Sequence, residues 1–166
     1  MIRIDIPATS ANLGSGFDSL GIALTMCNRV WMEEADELKI TTTDKIKVPT
    51  DETNLIYWAA RHLYQICGKT LPGLHIIQEN NIPMARGLGS SSACIVAGIL
   101  GANRMLGSPM SQSDLINLAA QIEGHPDNTS PAISGGLVAS AMEGKRVYSV
   151  SVPVSGKISF AVRSEE

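Results

Sequence analysis

The stretch RGLGSSSACIVAGIL, residues 86–100, decides the fold, because it joins a glycine-rich turn to an apolar helix through three consecutive serines. Gly87 and Gly89 allow a tight turn and a close approach of the backbone to a ligand. The apolar run predicts a helix over residues 91–106, which places the serines in its first turn, where backbone N–H groups have no partner inside the helix. These N–H groups and the positive end of the helix dipole attract anions, phosphate above all.

The same residues also fit an ordinary glycine loop whose serines cap the helix, since such loops are common before helices. The stretch is not a Walker A motif, because no GK[ST] follows the glycines, and it contains no GxGxxG dinucleotide-binding fingerprint. Serine hydroxyls in this place can donate to phosphate oxygens, and one of them can bind Mg²⁺. From the residues alone, an anion cradle and a capped turn are equally open.

On both sides of this stretch, strands alternate with helices, which predicts an α+β fold of a sheet packed by about three helices. Besides the central helix, we expect helices at residues 55–67, capped within residues 51–54, and at residues 111–124, capped by Ser111 or Ser113. Strands are expected at IRIDIP, which Pro7 would close, and at residues 22–33, 38–43, 73–80, 137–142, 146–153 and 157–162.

Two further polar loops could carry chemistry. PATSANLGSGFDSLG, residues 7–21, contains Asn12 and Asp18, which could hold a substrate ammonium or hydroxyl group. EGHPDNTSPA, residues 123–132, places a carboxylate metal ligand, a possible base and an amide within six residues, at Glu123, His125, Asp127 and Asn128. Pro-Asp-Asn is also a good turn sequence, and Phe17 could simply anchor the first loop, so a purely structural role is open for both loops.

Composition limits the classes of function. The chain has 166 residues, is 44% hydrophobic and 17% charged, and carries a net charge of −3, which argues against a broad nucleic-acid surface. The three cysteines have long spacings and form no CxxC, which favours reduced thiols in a cytoplasmic protein. The longest apolar stretch is too short and too polar to span a bilayer. We therefore expect a cytoplasmic protein that binds neither nucleic acid nor membrane.

Taken together, the three loops resemble those of homoserine kinases, a branch of the GHMP kinase superfamily (galactokinase, homoserine kinase, mevalonate kinase and phosphomevalonate kinase). Residues 83–93 match the superfamily's phosphate loop, PxxxGLGSSxA; PATSANLG and EGHPDN are similar to the homoserine kinase branch; DETNLI, residues 51–56, resembles its adenine-side segment. The resemblance implies a domain like ribosomal protein S5 domain 2, with a left-handed βαβ crossover that breaks the usual rule. It also implies transfer of the ATP γ-phosphate to the hydroxyl of L-homoserine, on the route to threonine.

The resemblance further implies roles for individual residues. Asn54 would contact the adenine side of ATP, and the triphosphate would lie against Pro83, Arg86, Gly87, Leu88, Gly89, Ser90, Ser91, Ser92 and Ala93. One serine, Ser91 first among them, would hold Mg²⁺ together with Glu123. The substrate homoserine would be held by Asn12, Asp18 and Asp127, in a loop that His125 orients.

Asn128 lies where the mevalonate kinase branch places an aspartate base. An amide is no base at neutral pH, so transfer here would depend on Asn128, Asp127 and Glu123 through positioning and charge neutralisation, without a dedicated base. The chain departs from the family at Ser15, where GPGFD is usual, and at Thr129 and Ser130, where HPDNVAPA is usual.

Members of this family have roughly 300 residues, about two domains' worth. We therefore interpret residues 1–166 as the N-terminal, ATP-binding domain, with residues 155–166 as the first strand of an absent C-terminal domain. Two other functions stay open: a GHMP kinase for another small alcohol, and a nucleotide-binding fragment without catalysis. A homodimer is also compatible with the sequence.

Overall fold

The computed structural model describes residues 1–161. Within that range the chain forms six strands and four helices, which confirms a mixed fold of helices and sheet. The strands are β1 (Ile2–Ala11), β2 (Leu20–Glu34), β3 (Lys39–Thr42), β4 (Leu74–Glu79), β5 (Leu137–Glu143) and β6 (Arg146–Val152). The helices are α1 (Leu55–Ile66), α2 (Ser90–Met105), α3 (Gln112–Glu123) and α4 (Thr129–Ser134). None of the helices in this range is long and apolar enough to cross a bilayer.

The long strand β2 organises the sheet. β1 pairs with it in antiparallel fashion along one edge. On the other edge, β4 pairs with the second half of β2 and β5 with its first residues, and β3 and β6 extend the sheet beyond them. β3 and β4 are parallel, and α1 lies between them in the chain, so they form a βαβ unit. The left hand of this crossover stays a prediction.

Helix α2 is the buried centre of the domain, because it packs against both α1 and the sheet. A Cβ atom at Gly98 would lie 2.4 Å from the carbonyl oxygen of Ile56, so the backbones of α2 and α1 approach closely. A Cβ atom at Gly101 would lie 2.4 Å from the sulfur of Met32 in β2. Small residues therefore let α2 settle into the core, and its N-terminus emerges beside the N-terminus of α1.

Two expected boundaries are wrong. β1 does not end at Pro7 but continues to Ala11, because an irregularity in the β1–β2 register between Pro7 and Thr9 accommodates the missing proline N–H. Part of the second polar loop is a helix: α4 follows Asn128 directly and ends at Ser134, and its C-cap is Gly135, whose φ is +74°.

The strand expected at residues 157–162 is also wrong for the part of that range that the structure describes. Residues 157–161 form no strand, and Val162 lies outside the described residues. Pro153 follows directly after β6, and all of residues 153–161 are exposed. A strand needs a neighbour with which to exchange hydrogen bonds, and no described strand pairs with this segment.

Candidate functional site

The loop of residues 83–89 leads directly into α2, whose N-cap residue is Gly89 with φ +65° and ψ 29°. No side chain within residues 1–161 caps this helix, and its first turn holds no acidic residue. The first N–H to reach back into the helix belongs to Ala93, which donates to the carbonyl oxygen of Gly89 at 2.9 Å. The N–H groups of Ser90, Ser91 and Ser92 precede it, so they have no partner within the helix and are available to an anion.

Two glycines in this loop have left-handed backbones but different surroundings. Gly87 has φ +68°, and a Cβ atom there would meet nothing within 4 Å. A Cβ atom at Gly89 would lie 2.0 Å from the Oγ1 atom of Thr9 and 3.1 Å from the Oδ1 atom of Asn128. Only glycine therefore fits position 89, both for its conformation and for the space available.

Thr9 connects the phosphate loop with the loop before α4. Its N–H donates to the carbonyl oxygen of Leu88 at 3.1 Å, and its hydroxyl donates to the Oδ1 atom of Asn128 at 2.7 Å. The residue is fully buried. Nothing in the sequence pattern singled it out except its place inside PATSANLG, between the strand and the residues expected to hold substrate.

Asp127 is a buried carboxylate with one unpaired oxygen. Its Oδ1 atom accepts from the N–H of Asn128 at 2.9 Å and lies 2.5 Å from the Nδ1 atom of His125. Its Oδ2 atom has no hydrogen-bond partner among the described residues, although only 1% of the residue is exposed. Burying an unpaired carboxylate oxygen is costly, so this atom points to a ligand that brings a positive charge or a donor.

The expected substrate loop is held against the same place. A Cβ atom at Gly21 would lie 1.7 Å from the carbonyl oxygen of Asp127, so β2 and the Asp127 loop touch through their backbones. Asn12 and Asp18 are exposed, both have positive φ, and the N–H of Asp18 donates to the Oδ1 atom of Asn12 at 2.8 Å. Phe17 does not anchor this loop, because it is 74% exposed.

A cavity of about 290 Å³ opens beside the first turn of α2 and the N-terminus of α1. Asn54 lines it but is the N-cap of α1: its Oδ1 atom accepts from the N–H of Ile56 at 3.0 Å, and its Nδ2 atom donates to the carbonyl oxygen of Pro49 at 2.9 Å. The Asn54 amide therefore shapes the cavity wall. The other lining residues are Lys47, Val48, Pro49, Thr53, Leu55, Gln78, Asn80, Met84, Ala85, Ser90, Ser91 and Cys94.

Ser91 also lines an adjoining cleft with Glu123, the last residue of α3. The Oε1 atom of Glu123 accepts from the hydroxyl of Ser92 at 2.9 Å, which ties the end of α3 to the start of α2. No group of three or more His, Cys, Asp or Glu residues in the described range could hold a metal ion. The oxygen ligands that Ser91 and Glu123 offer fit Mg²⁺ when phosphate oxygens complete its shell.

Cys94 belongs to the cavity wall and is not a nucleophile at neutral pH. Burial, together with the negative charge of Glu123, raises the pKa of its thiol to about 11. The thiol therefore stays protonated, and Cys94 contributes packing. All three cysteines are free in the structure.

A comparison with known protein families finds a match for the part of the chain that contains this site. Residues 54–136, half of the chain, match the N-terminal domain of GHMP kinases. The chain belongs to the GHMP kinase family. The matched range contains Asn54, the phosphate loop, Glu123 and the Asp127–Asn128 pair, so it covers most of the described site.

Individual GHMP kinases agree with this assignment. A homoserine kinase from Clostridium botulinum is 44% identical to this chain over 162 residues, covering 96% of the chain and 54% of that protein. The crystal structure of a homoserine kinase from Cytophaga hutchinsonii superposes with a TM-score of 0.80 at 31% identity, covering 93% of this chain and 52% of that one. The mevalonate kinase of Methanococcus jannaschii, at 15% identity and a TM-score of 0.70, shares the fold alone.

The chain thus spans about half the length of the curated GHMP kinases it matches. The resemblance expected from the three loops is confirmed, as is the domain fold it implied. The roles expected for individual side chains remain predictions, although the structure brings the phosphate loop, Asn128, Asp127 and Glu123 together around the start of α2.

Proposed function

We propose that residues 1–166 are the ATP-binding domain of a homoserine kinase, which transfers the γ-phosphate of ATP to the hydroxyl group of L-homoserine on the route to threonine. The observation that carries the proposal is the uncapped N-terminus of α2, set beside a buried carboxylate with an unpaired oxygen. In this proposal, the helix start would bind a polyphosphate and the unpaired carboxylate oxygen would bind the ammonium group of an amino-acid substrate. The homoserine kinases at 44% and 31% identity support the choice of substrate.

In this proposal, the triphosphate binds the N–H groups and hydroxyls of Ser90, Ser91 and Ser92. Leu88 and Ala93 are buried and hold the loop in place, while Pro83, Arg86 and Gly87 are exposed along its outer side. The base enters the cavity lined by Asn54. Because the donors are backbone groups at the start of a rigid helix, they are ordered before the nucleotide arrives.

Ser91 and Glu123 are the residues that would hold Mg²⁺. Held by these residues, Mg²⁺ would supply positive charge to the phosphate oxygens. The hydrogen bond from Ser92 orients the Glu123 carboxylate towards the start of α2.

Homoserine would be held by Asp127, Asn12 and Asp18. The unpaired Oδ2 atom of Asp127 suits the ammonium group of an amino acid, and His125 fixes the other carboxylate oxygen. Asn128 cannot act as a base because it is an amide, and its Oδ1 atom already accepts from Thr9. The residues of this domain therefore act by holding the two reactants in line.

The first test measures ATP binding calorimetrically in the presence of Mg²⁺. The second measures phosphorylation of L-homoserine, and of a panel of other small alcohols, with ATP as the phosphate donor. We expect ATP to bind, and homoserine to be the alcohol that is phosphorylated by this chain or by its full-length counterpart. Absence of ATP binding would overturn the proposal. Phosphorylation of a different alcohol would identify another GHMP kinase, and turnover confined to the longer protein would show that this part binds nucleotide without completing catalysis alone.

The substrate assignment is tested separately with Asp127→Asn in the longer protein, beside Asp36→Asn, a change in the connection between β2 and β3. Loss of the negative charge at position 127 should raise the KM for homoserine at least about tenfold, because the ammonium group loses its charged partner. The KM for ATP should hardly change. If both KM values stayed the same, Asp127 would have no part in binding homoserine.

A further inference from the structure

A polar side chain interrupts the apolar inner face of β4. Leu74 and Ile76 point into the core and are fully buried, and Gln78, the next residue on the same face, is only 3% exposed. A buried amide is unfavourable unless its donors and acceptors are paired. Gln78 is the last inward residue of the strand, and it lines the cavity beside Asn54.

The backbone decides how the Gln78 amide is oriented. Asn54 is fixed first, because its Oδ1 atom accepts from the N–H of Ile56 and its Nδ2 atom donates to the carbonyl of Pro49, and neither backbone group can exchange its role. The Nδ2 atom of Asn54 also lies 3.1 Å from Gln78. The atom of Gln78 facing it must therefore be the acceptor Oε1, which turns Nε2 and its two N–H donors the other way.

Within residues 1–161, the only side-chain hydrogen bond of Gln78 is the one its Oε1 atom accepts from Asn54, and its Nε2 atom is not among the buried unpaired atoms, so that atom is accessible to a ligand. Its Oε1 atom is taken by Asn54, and its backbone carbonyl accepts from the N–H of Thr43 at 2.9 Å. The cavity next to it has apolar walls contributed by Val48, Pro49, Leu55 and Met84. A donor in the wall of a largely apolar cavity suits a heterocycle that carries an unprotonated ring nitrogen.

We infer that Gln78 selects the base of the nucleotide, by donating from Nε2 to a ring nitrogen of adenine. This inference rests on the proposed ATP site. The orientation of this donor depends on a series of hydrogen bonds. Capping of α1 fixes the orientation of the Asn54 amide, the Asn54 amide fixes the orientation of the Gln78 amide, and the Nε2 atom of Gln78 is then free to donate to the ligand. A base that presents its own N–H at that place leaves two donors facing each other and is rejected.

The experiment compares the dissociation constants of Mg-ATP and of inorganic tripolyphosphate for the wild-type chain, Gln78→Met and Gln65→Met. Gln65 is exposed on α1 and serves as the matched control. Loss of the Gln78 donor should weaken ATP binding about tenfold and leave tripolyphosphate binding unchanged, because only the base touches Gln78. Gln65→Met should change neither.

Analogues of ATP sharpen the test. Of 1-deaza-, 3-deaza- and 7-deaza-ATP, one should bind the wild-type chain about tenfold more weakly than ATP does, and should bind Gln78→Met as well as ATP does. Gln78→Glu keeps the acceptor for Asn54 and the shape of the side chain but removes the donor, so it should lose ATP affinity as well. Melting temperatures of both variants report whether the fold is retained.

The possible failures are distinguishable. A wild-type chain that binds neither ATP nor tripolyphosphate contradicts the proposed function itself. A chain that binds both, but in which Gln78→Met weakens neither ligand or weakens both equally, contradicts the role of Gln78 alone. The same holds if no deaza analogue distinguishes the wild-type chain from Gln78→Met.

Discussion

The N-termini of α2 and α3 differ in how their first N–H groups are treated: those of α3 are capped by side chains, and those of α2 are not capped by any side chain of residues 1–161. At α3, the hydroxyl of Ser111 accepts from the N–H of Asp114, and the Asp114 carboxylate accepts from the N–H of Ser111, which completes a capping box. At α2, the N-cap is Gly89, no side chain within the described range caps the helix, and no acid lies in the first turn. Both helices begin with polar residues, but only α3 satisfies its own N–H groups.

The difference separates a helix whose first N–H groups are capped by its own side chains from one whose first N–H groups stay available to a ligand. A capping side chain is worth about 1 kcal/mol, and α2 lacks it although serines stand in its first turn. The stability that α2 forgoes at its start is offset by its buried position between α1 and the sheet. Uncapped donors on a rigid, buried helix make an anion site that is ordered in advance.

The largest expected effect distinguishes the two glycines that lead into α2. Gly89→Ala should lower the free energy of unfolding by about 3 kcal/mol, because a Cβ atom there meets Thr9 and Asn128 and the backbone is left-handed. Gly87→Ala has the same backbone strain without the steric conflict, so about 1 kcal/mol is expected. Urea unfolding of both variants measures the difference.

ATP binding by the same two variants tests whether the conformation of the loop before α2 matters for nucleotide affinity. Gly89→Ala should bind ATP far more weakly, since the contact between the loop and Thr9 is displaced, while Gly87→Ala should retain most of its affinity. Equal losses of stability in the two variants would show that the close approach of Gly89 to Thr9 does not shape the loop.

A second change places an acid at the first helical position of each helix. Ser90→Asp in α2 should weaken ATP binding at least about tenfold, because the carboxylate occupies the positive end of the dipole and repels phosphate. Gln112→Asp in α3 should leave ATP affinity unchanged. Each acid should stabilise its helix by about 0.5 kcal/mol, as urea unfolding can show. If Ser90→Asp bound ATP normally, the start of α2 would not be the phosphate site.

Much of this site could be predicted from the sequence, because its parts lie in short motifs with local physical reasons. A glycine pair before a serine-rich helix start indicates, from helix geometry alone, either an anion site or a serine-capped turn. A cap within residues 51–54 for α1, and a cap at Ser111 or Ser113 for α3, could be predicted for the same reason, since capping depends on neighbours only two or three residues away. The structure confirms both caps and shows that the capping residues are Asn54 and Ser111.

The rest could not be predicted, because it depends on contacts between distant segments. Thr9 and Asn128 are 119 residues apart, and only the folded sheet shows that one donates to the other. The role of Gln78 depends on which atom of Asn54 faces it, which no spacing encodes. β1 passes through Pro7 because β2 pairs with it on both sides of an irregularity, so tertiary pairing overrides the local signal of proline.

A third change removes the cap of α3. Ser111→Ala should lower the free energy of unfolding by about 1 kcal/mol, because the N–H of Asp114 loses its acceptor. ATP affinity should remain at the wild-type value, since α3 contributes to the site only through Glu123 at its other end. Calorimetry with ATP and urea unfolding check the two quantities. A variant that lost ATP affinity without losing stability would contradict the claim that the start of α3 serves stability and the start of α2 serves ATP binding.

The smallest effect concerns the pH dependence of the same cap. The hydroxyl and the N–H of Ser111 hold the pKa of the Asp114 carboxyl below its ordinary value of 3.8. A lowered pKa in the folded state means that the carboxylate stabilises the fold above the unfolded pKa, and that this contribution is lost as the pH falls through the folded pKa. The difference in unfolding free energy between the wild-type chain and Asp114→Asn should therefore be constant near neutrality and shrink below about pH 4.

Urea unfolding across that pH range measures this difference. Ser113→Asn, a change at a neighbouring exposed residue that removes no charge, is the control. A difference that persisted unchanged into strong acid would show that the charge of Asp114 does not contribute to the cap, and α3 would then resemble α2 more closely than its hydrogen bonds indicate.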